Sequence, residues 1–150
     1  MDVWSIVSGG AGAISAYFAY RAYYYKVDKE RKQQADKISV NMSAEQSVII
    51  TNNSNLPVYD VFVIICSNRE ILEKVDDWGK SYKYIETLIP GKIDMSIKNK
   101  GCAMGGVKPS ANIFYRDSAG VEWFHNNNGT LREFKCYKDI LGKRKIYAPY

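Results

Sequence analysis

The first apolar stretch, from Val3 to Tyr20, constrains this chain more than any other feature. No charged residue interrupts it, and Arg21 ends it. A helix over this stretch would be about 27 Å long at 1.5 Å per residue, which matches the hydrocarbon core of a bilayer. The sequence therefore predicts a single membrane-spanning helix within residues 1–25.

Aromatic residues bracket the stretch. Trp4 stands near its start, and a cluster of rings gathers toward its end at Tyr17, Phe18, Tyr20, Tyr23, Tyr24 and Tyr25. Amphipathic rings favour the head-group level of a bilayer, so the two groups predict two membrane interfaces. A signal peptide and a helix buried in a soluble oligomer are the alternatives, and the first would need a positive region before the apolar core.

Small residues recur every four positions at Ser8, Gly12 and Ala16. This spacing lets two helices approach closely in lipid, and it predicts a contact with a second copy or with another membrane helix. The alternative is an anchor that contains small residues without using them for packing.

Basic residues follow the apolar stretch. We predict that they contact anionic lipid head groups, and their position on one side of the span places the C-terminal domain in the cytoplasm by the positive-inside rule. Nucleic acid and simple solvation are the competing interpretations of the charge. The residues concerned are Arg21, Lys26, Lys29, Arg31 and Lys32.

The next segment, Lys26 to Ile38, is rich in Lys, Glu, Gln and Ala and contains no Gly or Pro, which favours continued helix. Asp28 and Lys32 have the spacing of an i,i+4 ion pair. We predict a helical stalk over residues 26–37.

From Ile38 onward, short strand signals alternate with turn residues. Pro57 opens a strand from Val58 to Cys66, whose apolar centre is predicted to be buried on both faces. Further strands are expected at Val48 to Ile50, at Tyr84 to Ile89, and across the alternating Ile93, Met95 and Ile97.

Two hairpins are predicted near the end of this region. The first joins Ala111–Arg116 to Val121–His125 through a turn at Asp117 to Gly120, and the second turns at Asn126 to Gly129. Short strands with regularly spaced turns predict a mainly β chain with an antiparallel immunoglobulin-like β-sandwich over residues 38–136. Residues 137–150 are predicted to be a basic C-terminal tail.

Three motifs together resemble a group of uncharacterised small bacterial proteins that carry one N-terminal membrane helix and a sandwich domain. They are the Gln-rich run Gln33 to Ser39, the segment Asn52 to Val61, and the segment Phe114 to Trp123 with Gly129 to Leu131 after it. The resemblance implies the order of helix, stalk and sandwich, and it implies no activity. Trp123 is expected to be a core residue, with ligand stacking as the alternative.

Catalytic and metal-binding patterns are weak. His125 is the single histidine, and the three cysteines, Cys66, Cys102 and Cys136, are scattered, so we predict no metal, no cofactor and no enzymatic activity. Cys66 is expected in the core, whereas Cys102, in a Gly-rich loop with Gly101, Gly105 and Gly106, is the candidate reactive thiol. That loop lacks the ending of a phosphate-binding motif.

The sequence thus favours a membrane-anchored binding or scaffolding module whose partner is a protein or a second copy. An extracytoplasmic ligand-binding or surface domain is the alternative, with Trp78 and Tyr82 as stacking residues. Sequons at Asn41, Asn52 and Asn128 would matter only in that case. A Cys102-dependent hydrolase, and a soluble protein whose first helix packs in an oligomer, complete the hypotheses.

Overall fold

The structure, a computed structural model, describes residues 3–43, 47–68, 81–97, 106, 108–126 and 128–149. It divides the chain into two compact units, a helical unit (Met1–Gln33) and a β unit (Gln34–Tyr150). In order, the elements are α1 (Val3–Ala35), β1 (Ile38–Met42), β2 (Ser47–Asn52), β3 (Val58–Ser67), β4 (Tyr82–Leu88), β5 (Gly91–Ser96), β6 (Pro109–Arg116), β7 (Glu122–His125), β8 (Leu131–Phe134) and α2 (Tyr137–Lys143).

Helix α1 contains 33 residues, so it is about 50 Å long. It covers the predicted span and most of the predicted stalk, but it ends at Ala35, and Ile38 already belongs to β1. The predicted stalk of residues 26–37 therefore extends two residues beyond the end of the helix, and Ile38, which is fully buried in the core of the β unit, begins a strand. Within the residues that the structure describes, we find no helix with both the length and the apolar character that crossing a bilayer requires.

The β unit contains two antiparallel sheets. One has the strand order β1-β2-β5, and the other has the order β4-β3-β6-β7-β8. The prediction of a mainly β chain with antiparallel strands is confirmed, and both predicted hairpins are present, since β7 pairs with β6 and with β8. The first hairpin turns through Gly120 at φ +84°, a left-handed conformation that favours glycine.

The larger core contains residues of both sheets. Alternate residues of β3 (Val61, Val63 and Ile65) join Ile50 of the smaller sheet and Trp123 of β7 in one buried cluster. Trp123 is 1% exposed, and its indole N–H donates to the buried Asp117 carboxylate at 2.7 Å. The prediction that Trp123 is a core residue is confirmed.

A second core lies on the opposite face of β3. Phe62 and Ile64 pack there with Phe114, and Leu141 of α2 belongs to the same cluster. Strand β3 is thus buried on both faces, as its continuous apolar run predicts. The charge pattern of residues 137–150 predicts only a basic tail. The segment in fact contains a helix, and the apolar side chains of that helix complete this core.

Two segments between predicted strands lie largely outside the described residues. Most of the charged segment between Ser67 and Lys83, with Trp78, Gly79, Asp76 and Asp77, is in the first of them. The second contains Gly101, Cys102, Met104 and Gly105.

Candidate functional site

The helical unit exposes aromatic side chains. Tyr17, Phe18 and Tyr20 are each more than half exposed, and so are Tyr23, Tyr24 and Tyr25. Several of these rings contact one another, and the Tyr20 and Tyr24 centroids are 4.4 Å apart. Exposed rings in such number are unusual on a surface that contacts water alone, and they mark this segment as a candidate interaction site.

The predicted small-residue ridge lies along α1. Gly12 and Ala16 are exposed, and a Cβ atom added at Gly12 would meet no atom within 4 Å. Ser8 belongs to α1, but its side chain is outside the described part of the structure. The ridge is therefore open at Gly12, and its contact with a second helix stays a prediction.

The predicted head-group residues follow on the same helix. Arg21, Lys26, Lys29 and Lys32 are exposed, whereas the side chain of Arg31 is not among those described. Lys32 donates to Asp28 at 2.9 Å, which confirms the predicted i,i+4 pair, and Lys26 lies 3.9 Å from Glu30. Such exposed pairs contribute about 0.3–0.5 kcal/mol each, so they leave these cations accessible to anionic partners.

The β unit carries a network of charged groups around Asp60. Its carboxylate accepts hydrogen bonds from the Tyr84 hydroxyl at 3.0 Å, from Arg116 Nη2 at 3.1 Å and from Lys138 Nζ at 2.9 Å. Its backbone carbonyl accepts the Tyr137 hydroxyl at 2.8 Å. One residue thus connects β3 to β4, β6 and α2.

Backbone geometry places Asp60 at this point. The pairing of β3 with β6 shifts between Tyr59 and Phe62, which marks a β-bulge, and Asp60 has φ +51°. A positive φ is uncommon for a residue other than glycine, and Asp tolerates it better than most. The bulge directs the Asp60 carboxylate toward the two cations.

The electrostatics of this network favour a fixed ion cluster. Burial raises the pKa of the Asp60 carboxyl, but hydrogen bonds from Lys138, Tyr84 and Arg116 outweigh it and hold that pKa below its ordinary value. Burial, with Asp60 nearby, raises the pKa of Tyr84 and of Tyr137, so both hydroxyls are neutral donors. Because Asp60 is ionised and saturated with donors, it is a poor general base and serves to hold α2 against the sheet.

Among the residues that the structure describes, the single histidine and the cysteines each make separate contacts. The ring Nδ1 of His125 lies 3.0 Å from the Ile38 carbonyl, so it donates there. Cys66 is buried, as predicted, and accepts a hydrogen bond from Asn112, whereas Cys136 is exposed. Cys102 lies outside the described residues, so a pair with His125 stays untested. Across the described ranges no cluster of at least three His, Cys, Asp or Glu residues could hold a metal ion.

One of the three sequons is inaccessible. Asn52 is 1% exposed, and its side chain bonds the backbone of Leu56 and of Leu88. An amide engaged in this way inside the folded domain cannot accept a glycan. Asn41 and Asn128 are exposed.

Comparison with protein-family models finds none that matches this chain, and a search of curated proteins likewise finds no match.

Proposed function

We propose that this protein is a membrane-anchored, non-enzymatic binding or scaffolding module whose β unit faces the cytoplasm. The observation that carries the proposal is the arrangement along α1. An uncharged stretch is followed by exposed aromatic side chains and then by exposed basic side chains. This order suits a helix that passes from lipid through the head-group level into water.

The support for the anchor is this distribution of side chains rather than hydropathy. Tyr, Ser and Gly lower the mean hydropathy of the stretch, yet Tyr side chains are favoured at membrane interfaces. The basic residues after the stretch favour a cytoplasmic β unit, and they supply contacts to anionic lipid. The ridge at Ser8, Gly12 and Ala16 supplies a surface for a second helix.

The architecture of the β unit suits a binding module. The orders β1-β2-β5 and β3-β6-β7 correspond to strands A-B-E and C-F-G of an immunoglobulin-like sandwich. We infer that the β unit is of this type, in keeping with the resemblance to small bacterial proteins with one membrane helix. Sandwiches of this class recognise partners through loops and sheet edges, without a catalytic centre.

An extracytoplasmic ligand-binding or surface domain is the second candidate. The observation that favours it is the exposure of the sequon residues Asn41 and Asn128. The two candidates place the β unit on opposite sides of the membrane, so topology separates them.

Exposed Cys136 provides the test. In a Cys102→Ser variant, the thiols that remain are exposed Cys136 and buried Cys66. If the β unit is cytoplasmic, a membrane-impermeant maleimide will label this variant only after the cells are permeabilised. Labelling of intact spheroplasts would overturn the cytoplasmic placement and support the second candidate.

Two controls complete the experiment. A variant that also carries Cys136→Ser should stay unlabelled until it is unfolded, because Cys66 is buried. Alkaline carbonate extraction tests the anchor itself, since an integral protein stays in the pellet. Release of the chain into the supernatant would contradict the anchor.

A further inference from the structure

The positive charge of the chain is concentrated around α2. Residues 135–147 contain five basic residues and one acidic residue, so this short segment carries a surplus of four positive charges, against a net +5 for the whole chain. Its lysines are all exposed, and three of them, Lys135, Lys143 and Lys145, form no ion pair within the described part of the chain. Exposed cations in such excess favour contact with an anionic molecule.

Lys145 occupies a backbone position that favours glycine. Helix α2 ends in a Schellman motif, in which the Ile146 N–H donates to the Leu141 carbonyl at 3.0 Å. The Lys145 N–H donates to the Gly142 carbonyl, also at 3.0 Å, and Lys145 has φ +57°. Glycine is the usual residue at this position, because a Cβ atom makes the left-handed conformation costly. The chain thus gives up stability while it keeps a cation at the end of α2, which is typical of a functional position.

An aromatic side chain lies against the same helix. The Tyr147 hydroxyl donates to the Gly142 carbonyl at 3.4 Å, and the Tyr147 carbonyl accepts the Tyr82 hydroxyl at 3.4 Å. The Tyr147 side chain is nevertheless 59% exposed. Tyr is enriched where proteins contact one another, because its ring is apolar and its hydroxyl is polar. We give the name α2 surface to Lys135, Lys138, Lys143, Lys145 and Tyr147.

We propose that the α2 surface binds an acidic segment of a protein partner. The inference rests on the proposed function, since it names the surface that the binding module uses and the chemistry of its partner. Helix α2 has seven residues and is about 10 Å long, and the five side chains lie within it or up to four residues beyond its ends. An extended segment of about five residues spans about 17 Å, so a short acidic run can reach all of them.

The cations of the α2 surface favour carboxylates over the phosphates of a nucleic acid. All four are lysines, whose ammonium groups are point charges, whereas recognition of nucleic acids more often uses the forked guanidinium group of arginine. Nearby Arg116 is bound to Asp60, and Arg144 is only partly exposed. Single-stranded nucleic acid is usually bound by several stacked rings, and the α2 surface has one. An acidic protein segment is therefore the better fit.

Fluorescence anisotropy tests the proposal with a labelled peptide of ten glutamates, titrated with the full chain in mild detergent. We expect binding that weakens as the salt concentration rises, and no binding of a peptide of ten glutamines. A single DNA strand of ten nucleotides carries a similar charge and should bind more weakly than the glutamate peptide. Tighter binding of the DNA would overturn the choice of a protein segment, and equal binding of the glutamine peptide would overturn the role of charge.

The variant Lys145→Gly separates binding from folding. Glycine relieves the backbone, so the midpoint of thermal unfolding should rise. Loss of one cation should at the same time weaken binding of the glutamate peptide about fivefold. The matched control is Lys92→Ala, which removes an exposed cation from β5 in the other sheet and should leave binding unchanged. Unchanged binding by Lys145→Gly, or an equal loss in Lys92→Ala, would overturn the α2 surface.

The variant Asp60→Asn tests the same surface in the opposite direction. It releases Arg116 and Lys138 from their common carboxylate, so the glutamate peptide should bind about fivefold more tightly. Asp94→Asn removes the same charge from an exposed position on β5 and should bind like the wild type. Equal gains in the two variants would show that net charge alone controls binding and would overturn the site.

The outcomes separate the inference from the proposed function. Failure of the glutamate peptide to bind would overturn the α2 surface, but it would leave the results of Cys136 labelling and carbonate extraction as they are. Labelling of intact spheroplasts would overturn the cytoplasmic placement without changing the affinity for the peptide.

Discussion

Asp60 adopts a left-handed backbone conformation inside an otherwise extended strand. This conformation is maintained because the carboxylate is only 16% exposed and holds two cations, Arg116 and Lys138, that come from other elements. Arg116 also lies over the Tyr59 ring, with its guanidinium carbon 5.6 Å from the centroid. A rare backbone conformation persists where several surrounding contacts hold the residue in place. Asp60 is such a residue, and it connects the sheet to α2.

Replacing Asp60 with Asn should lower the free energy of unfolding at pH 7 by about 1–2 kcal/mol. Asn tolerates the left-handed conformation, so the loss of stability measures the contacts that the charge makes. Arg116 and Lys138 are exposed enough for water to solvate them once those contacts are lost. Urea unfolding measures the effect. Asp94→Asn, at an exposed position on β5, is the matched control and should change little.

The same variant predicts a pH dependence. The folded pKa of Asp60 is lower than its ordinary value near 4, so its ionisation stabilises the folded state above that value. This contribution is lost as pH falls through the folded pKa. The wild-type chain should therefore lose more stability between neutral and acid pH than Asp60→Asn does. Equal losses in both chains would show that the network contributes no pH-dependent stability.

Little in the sequence identifies this residue in advance. Asp60 is a single charge at the start of the run Val58 to Cys66, and alternation alone gives no reason for a bulge there. Its partners lie 24, 56 and 78 positions away along the chain, so only the folded sheet brings them together. Trp123 and Cys66 were predictable, because their apolar strand context alone indicates burial.

At the scale of elements, α2 depends on the sheet beneath it. It has seven residues, Cys136 at its N-cap makes no side-chain hydrogen bond, and Gly142 lies within it. Isolated helices of this length are unstable in water. Burial of Tyr137 and Leu141, together with the Lys138 to Asp60 pair, therefore stabilises the element.

Replacing Leu141 with Ala should destabilise the β unit by about 2–4 kcal/mol, because it leaves a cavity in the second core. Leu141 is 1% exposed, whereas Lys143 in the same helix is exposed, so Lys143→Ala is the control. Chemical unfolding measures the loss. In a Cys102→Ser, Cys136→Ser background, the buried Cys66 of this core should react faster with a thiol reagent when Leu141 is shortened. An unchanged rate would show that α2 does not cover the core.

The elements differ in how far the sequence predicts them. Strand β3 and the two hairpins carry local signals, namely a continuous apolar run, a turn from Asp117 to Gly120, and a turn that contains Asn128-Gly129. Strand β1 and helix α2 carry none, since Ile38–Met42 follows a helical pattern directly and the N-cap residue of α2, Cys136, makes no side-chain cap hydrogen bond. Packing against the rest of the β unit stabilises both β1 and α2. The contacts predicted from the charge and small-residue patterns along α1 stay predictions.

At the scale of the whole molecule, the chain divides between Gln33 and Gln34, inside α1. The last residues of this helix belong to the β unit. Ala35 is fully buried, and its carbonyl accepts the Tyr115 hydroxyl at 2.9 Å. Gln34 bonds the Pro57 carbonyl and Ser118, which lie on two different loops. The helix end is thus part of the core of the β unit as well as its covalent connection to the helical unit.

This division predicts where the chain can be shortened. A fragment that begins at Gln34 should unfold with the same free energy as the β unit of the full chain, because it retains every contact described above within that unit. A fragment that begins at Lys37 should lose about 2–4 kcal/mol, since it removes the buried Ala35 and leaves the Tyr115 hydroxyl without its acceptor. Urea unfolding of the two fragments measures the difference. Equal stability would mean that the contacts of the helix end with the loops contribute nothing to the stability of the β unit.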